Sequence, residues 1–226
     1  MSTTLNNPGR IQTVELLQRR WLTKNAFEIE LTRPSELVFK AGQTICFIHE
    51  STQRYYSLLS SPDDPTLSLC VYYVPRGSFS PVLANADIGT HFNLTGPHGY
   101  FVFKRSERAP IFVATGTGVA PFVSMGRSGV TDFILLHEVE SAEDLYFQDL
   151  FHKIASKYVP CLPGISTADA LPPGAFSGKA ADYLKQKLPT ANYDFYLCGE
   201  REMTSDVTLL ADEHFPGSYV FKEVFF

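Results

Sequence analysis

Several short segments of this chain carry side chains suited to holding phosphates and redox groups. Arg54-Tyr55-Tyr56-Ser57 sets a cation, two aromatic rings and a hydroxyl in a row. At strand spacing Arg54 and Tyr56 share one face. Val74-Pro75-Arg76-Gly77-Ser78-Phe79-Ser80-Pro81 puts a glycine turn and two hydroxyls just before a helix start, where backbone N–H groups attract phosphate. Thr115-Gly116-Thr117-Gly118 follows the apolar run Ala109–Ala114. A glycine turn between a strand and a helix lets the backbone approach a dinucleotide pyrophosphate. Near the far end, Leu197-Cys198-Gly199 carries a thiol, and Lys222-Glu223-Val224-Phe225-Phe226 a carboxylate followed by two rings. Each segment taken singly also reads as an ordinary strand, turn or buried cysteine. Their succession is what points to chemistry.

The elements that must hold these residues change character midway. Gly9–Leu17, Ala26–Thr32, Thr44–His49, Tyr55–Leu59, Leu67–Val74 and His91–Thr95 read as short strands between Pro and Gly turns. After Arg108, strand-like runs at Ala109–Ala114, Phe133–His137, Tyr158–Leu162, Phe195–Leu197 and Tyr219–Val224 alternate with helical patterns at Glu143–Lys157, Lys179–Lys187 and Met203–His214. The expected fold is two-domain, β then α/β. An antiparallel Greek-key β-barrel over 1–106 precedes a doubly wound parallel α/β domain over 107–226. Residues 1–108 carry 11 Lys and Arg against 9 Asp and Glu, whereas 109–226 carry 8 against 15, which suits two domains with different partners. The net charge of −5 disfavours nucleic acid, no apolar run is long enough for a membrane span, and no secretory signal is visible. A cytoplasmic protein is expected. Cys46, Cys70, Cys161 and Cys198 stand singly, so neither an iron–sulfur cluster nor another metal centre is expected.

Taken in order, the segments resemble the ferredoxin–NADP reductase family, in its bacterial form without a fused iron–sulfur domain. Arg54–Ser57 is similar to the family's R-x-Y-[ST] motif, and Leu69–Pro81 to V-P-x-G-x-[LF]-S-P. Leu94-Thr95-Gly96-Pro97-His98-Gly99-Tyr100-Phe101 resembles L-x-G-P-x-G-x-F, Thr115–Phe122 resembles G-T-G-x-A-P-F, and Leu197–Met203 resembles C-G-x-x-x-M. The likeness spans residues 54–226, and the first 50 match only in strand pattern. It implies FAD as cofactor in the barrel and NADH or NADPH as substrate in the second domain. By that resemblance Arg54 holds the FAD pyrophosphate, Tyr56 stacks on the flavin ring system and Ser57 hydrogen-bonds N5. Tyr55, Val71, Gly77, Ser78 and Phe79 line the cofactor, Tyr72 and Tyr73 flank it, and Ser80 adds a hydroxyl for its phosphates. Thr115, Gly116, Thr117, Gly118, Pro121, Glu140, Gly199 and Met203 serve the nicotinamide dinucleotide, with Cys198 facing its ring. Ser57, Cys198, Glu223 and Phe225 form the implied catalytic set. Phe225 covers the flavin and moves aside as a gate, Phe226 meets the adenine, and Glu223 lies near the redox centre.

The match departs from the family at two places. His137-Glu138-Val139-Glu140 stands where many members have G-V-R, and Pro163-Gly164 where NADP-specific members have S-R. A 2′-phosphate needs cationic donors, whereas an acidic residue suits a free ribose hydroxyl. NADH is therefore expected over NADPH, unless Lys179, Lys185 or Lys187 supplies the charge. The implied reaction is hydride transfer between NAD(P)H and flavin, with single electrons passed to or from ferredoxin, flavodoxin or another one-electron carrier. A stand-alone reductase component of an oxygenase system would share every motif. A non-catalytic flavoprotein subunit or redox sensor is the reading from another class.

Overall fold

The computed structural model describes residues 9–165 and 171–225. They form two compact units, one running to Phe103 and including Ala120–Ser128, the other comprising Lys104–Val119 and the chain from Gly129 onward.

In the first unit, β1 (Gln12–Trp21), β2 (Ala26–Thr32), β3 (Thr44–His49), β4 (Thr52–Ser57), β5 (Thr66–Tyr72) and β6 (His91–His98) are antiparallel in the order β4-β3-β6-β1-β2-β5. β6 returns to lie beside β3 after the consecutive β3, β4 and β5, which is Greek-key connectivity. The edge strands meet at a Leu58–Leu69 bridge, and Leu59 N–H donates to the Ser68 carbonyl at 2.8 Å, closing a barrel. Alternate side chains such as Phe27, Ile29, Leu31, Ile45, Phe47 and Leu69 fill the interior. Helix α1 (Ser80–Asn85) adds Leu83 and Ala84 to that core. β1 extends four residues past the expected end at Leu17, because it serves two partners. Gln12–Glu15 pair with β6 and Leu16–Trp21 with β2, the register shifting between Leu16 and Gln18. Helix α2 (Ala120–Arg127) belongs to this unit through Ser124 Oγ, which donates to the Ser60 carbonyl at 2.6 Å, and Arg127, which donates to that of Leu59 at 3.2 Å.

In the second unit β7 (Ala109–Thr115), β8 (Ile134–Glu138), β9 (Lys157–Cys161), β10 (Tyr193–Glu200) and β11 (Tyr219–Phe225) form a parallel sheet in the order β11-β10-β7-β8-β9. Ile111, Val113, Leu136, Val159, Phe195 and Leu197 meet α4 (Ala180–Lys187) and α5 (Arg201–His214) on one face. Phe112, Phe133, Tyr158, Tyr196 and Phe221 form an aromatic layer on the other, where α3 (Gln148–Ile154) adds Phe151. The unit is thus doubly wound. The helix expected over Glu143–Lys157 is corrected by the structure. Ala142–Asp144 is a single 3-10 turn, and α3 starts only after Phe147, whose left-handed backbone at φ 58° interrupts a continuous helix. Pro160 is tolerated because β9 is the sheet's outer strand.

Candidate functional site

Beyond the Leu58–Leu69 bridge, no backbone pairing joins β4 to β5 among the described residues, so Arg54–Ser57 and Cys70–Tyr72 flank an open seam. Ser57 is 4% exposed, yet its Oγ has no hydrogen-bond partner among the described residues. A buried hydroxyl left in that state costs about 1–3 kcal/mol, which a ligand atom at the seam would relieve. Arg54 is exposed and donates to Ser78 Oγ at 2.8 Å and to the Gln53 carbonyl. No carboxylate pairs with it among the described residues, so most of its donors remain for an anion. Tyr56 is braced by Phe47 at 5.8 Å and Phe79 at 6.3 Å, and burial pushes its phenol up to about 12, so the ring stays neutral. An orphaned buried hydroxyl, an unpaired guanidinium and a braced aromatic ring along one strand fit a flavin dinucleotide.

The remaining cofactor residues divide. Gly77 closes the turn by donating its N–H to the Val74 carbonyl at 2.8 Å, and Ser78 faces Arg54. The hydroxyl expected from Ser80 is already engaged. Its Oγ accepts from Val74 N–H at 3.0 Å and holds the turn, so the hydroxyl beside the cation is that of Ser78, which accepts from Arg54. The side chains of Val71 and Phe79 lie in the barrel core, which leaves only their backbone for a ligand. Tyr73 packs on the same core and edge-on to Trp21, whereas Tyr72 is exposed. Tyr55 sits on the other face of β4, against Cys46 and the His98 ring.

The second unit builds a glycine turn at the carboxyl end of β7. Gly116 adopts φ 48°, a left-handed conformation that favours glycine, and a Cβ there would meet nothing within 4 Å. Gly118 is required for space instead, since a Cβ would stand 2.4 Å from the Cys198 carbonyl oxygen. At Gly199, with φ 139°, a Cβ would come within 2.0 Å of Thr115 Oγ1. Thr115 Oγ1 accepts the Glu200 N–H at 2.7 Å, so the carboxyl ends of β7 and β10 nest. Ligands of open α/β sheets bind at this edge. Met203 and Pro121 are buried, at the starts of α5 and α2.

Cys198 and Glu223 are cross-strand neighbours on β10 and β11. Burial, then the nearby carboxylate, pushes the Cys198 thiol well above its ordinary range, so it is a neutral polar group rather than a nucleophile. Burial pushes the Glu223 carboxyl up to about 7, which allows it to take or give a proton near neutral pH. Phe225 is half-buried opposite Glu200, and Phe226 lies outside the described residues.

Glu140 is exposed, whereas Glu138 accepts the Ala180 N–H at 2.7 Å. Lys179 is drawn to Glu202 at 2.6 Å and Asp206 at 3.6 Å, beside a small cavity of about 50 Å³ also lined by Glu138 and Glu200. His137 opens the His137–Glu140 stretch, and the sequence assigned it no role. Its signal was a histidine ending the apolar run Phe133–Leu136.

Comparison with known proteins agrees with this geometry. Residues 15–103 match the oxidoreductase FAD-binding domain and residues 112–208 the oxidoreductase NAD-binding domain. The ferredoxin–NAD(P)+ reductase component of the naphthalene 1,2-dioxygenase system of Pseudomonas putida is 34% identical over 188 residues, 77% of this chain and 56% of that protein. Ferredoxin–NADP reductase B of Sorangium cellulosum is 33% identical over 129 residues, 52% of this chain and 53% of that protein. The chain thus spans little more than half the length of these relatives. A ferredoxin NADP+ reductase structure from Neisseria gonorrhoeae superposes with a TM-score of 0.81 at 23% identity, covering 96% of this chain and 99% of that one, a likeness of fold. Two domain families matched in this order, on a barrel followed by a doubly wound sheet, make the chain an oxidoreductase FAD-binding domain followed by an oxidoreductase NAD-binding domain, similar to ferredoxin–NADP reductases.

Proposed function

We propose that the chain transfers a hydride between NAD(P)H and bound FAD and passes single electrons to or from a separate carrier protein of the ferredoxin or flavodoxin kind. The observation that carries this reading is the buried, unpartnered Ser57 hydroxyl at the open seam. When bound, FAD supplies the conversion between two-electron and one-electron transfer. The barrel, taken as residues 1–106, holds it, Arg54 neutralising the pyrophosphate and Ser57 hydrogen-bonding the ring edge. The second domain, 107–226, offers the Gly116–Gly118 turn to the nicotinamide dinucleotide, and Glu223 holds a proton near the reacting end. A cytoplasmic location goes with this reading. No helix among the described residues is long and apolar enough to cross a membrane.

NADH is the proposed substrate. Of the three lysines that could have met a 2′-phosphate, Lys179 is already bound by Glu202 and Asp206, and two more carboxylates line the same cavity. A phosphate dianion there meets net negative charge. The identity shared with a dioxygenase-system reductase supports a second reading, in which the carrier is the ferredoxin of an oxygenase.

Purified protein should be yellow and release FAD on heating, and it should reduce a dye with NADH. Release of FMN alone, or no NADH-dependent reduction by flavin-loaded protein, would refute the proposal.

A further inference from the structure

We infer that His137 and Tyr158 form a buried relay that positions the dinucleotide turn. This rests on reading Gly116–Gly118 as the nucleotide site. His137 is fully buried at the end of β8, and its Nε2 lies 2.9 Å from the Gly116 carbonyl oxygen. A carbonyl only accepts, so Nε2 carries the proton. Nδ1 is then the acceptor, and Tyr158 O–H on β9 donates to it at 3.2 Å. The chain of donation runs from Tyr158 on β9 to His137 on β8 to Gly116 in the turn after β7. Burial depresses the imidazole to about 4, so the ring keeps this neutral tautomer through the physiological range, the Asp144 carboxylate and the Tyr146 ring notwithstanding.

The consequence for binding follows from peptide planarity. In a trans peptide the C=O and the following N–H point in opposite directions. Holding the Gly116 carbonyl toward His137 therefore turns the Thr117 N–H away from β8. With φ at 48° and no Cβ to restrain it, the Gly116 peptide needs an external hold to keep one orientation. His137 provides that hold from the β8 side, as Thr115 and the Cys198-Gly199 backbone pack the turn from the β10 side. The bound-like donor array is thus present before the nucleotide arrives, which lowers the ordering cost of binding.

The test uses flavin-loaded protein with His137→Leu, His137→Gln and Tyr158→Phe. Glutamine retains both a donor and an acceptor, leucine neither. His137→Leu should accelerate amide hydrogen exchange in the 115–119 segment without nucleotide. It should also raise KM for NADH roughly tenfold, the scale of one lost buried hydrogen bond, while kcat changes much less. His137→Gln should restore most of both, and Tyr158→Phe should show a smaller change in the same direction. If His137→Leu does not fold, Tyr158→Phe carries the same readouts. Unchanged exchange at 115–119 and unchanged KM would overturn the relay. So would a uniform loss of melting temperature and protection that glutamine does not rescue, which marks a plain core residue. Should the unmodified protein bind no nicotinamide nucleotide, the functional reading falls, and the exchange measurement still decides the relay.

Discussion

Replacing Glu223 by glutamine isolates the energetic cost of a carboxylate held against Cys198. Burial places its folded-state value at about 7, against 4.5 for an unperturbed carboxyl. The native state therefore binds this proton more tightly than the unfolded chain. The resulting stabilisation is fully present below about pH 4.5 and is lost as the pH rises through about 7. A gap of that size corresponds to about 3 kcal/mol, or about 2–3 kcal/mol allowing for the partial exposure of the side chain. Glutamine is neutral throughout and avoids the loss. Glu223→Gln should match the parent in stability near pH 4.5 and exceed it by about 2–3 kcal/mol at pH 8–9, roughly 5–10 °C in Tm for a chain of this size. Thermal melts of flavin-loaded protein at several pH values would read this directly. His137, depressed by burial, shifts stability in the opposite direction with pH but cancels in the comparison. A Tm difference between the two proteins that stays constant from pH 5 to 9 would refute the reasoning, showing that Glu223 is solvated in the fold.

Other substitutions probe the remaining groups. Arg54→Ala should weaken FAD binding by roughly 10- to 100-fold, the worth of one charge-assisted bond to phosphate, read by titrating flavin into stripped protein. Ser57→Ala should leave occupancy within a few-fold but slow flavin reduction by NADH in stopped flow; reduction at the parental rate would remove Ser57 from the site. Gly199→Ala should cost about 2–4 kcal/mol in urea denaturation, since it combines an unfavourable φ with a clash against Thr115, and unchanged stability would contradict the nested strand ends. Glu202→Gln should leave Lys179 paired with Asp206 alone and move the NADPH to NADH ratio of kcat/KM about tenfold toward NADPH. An unmoved ratio would mean that this cavity does not meet the 2′ position.

Much of this architecture was legible in the chain because it rests on local patterns. Phe27, Ile29 and Leu31 alternate with polar residues at a period of two, the pattern of a half-buried strand, Thr44–His49 is a short apolar run, and both strands occur with the expected bounds. The glycines at 116, 118 and 199 announced a turn because few other residues tolerate its dihedrals and close approaches. What the chain concealed were facts set by neighbours distant in sequence. Whether Ser78 or Ser80 stands beside the Arg54 cation depends on which one the Val74 turn captures. Whether Lys179 remains available for phosphate depends on Glu202 and Asp206, more than twenty residues away, being brought beside it by α5. Glu223 and Cys198 become a coupled pair only through the register of β10 on β11, and the burial that shifts their proton affinities belongs to the packed sheet. Composition and spacing thus determined which chemical groups the protein possesses and in which elements they lie. Tertiary structure alone decided which of them are satisfied, which are charged and which remain free to act, because hydrogen-bond partners and solvation are properties of the packed fold.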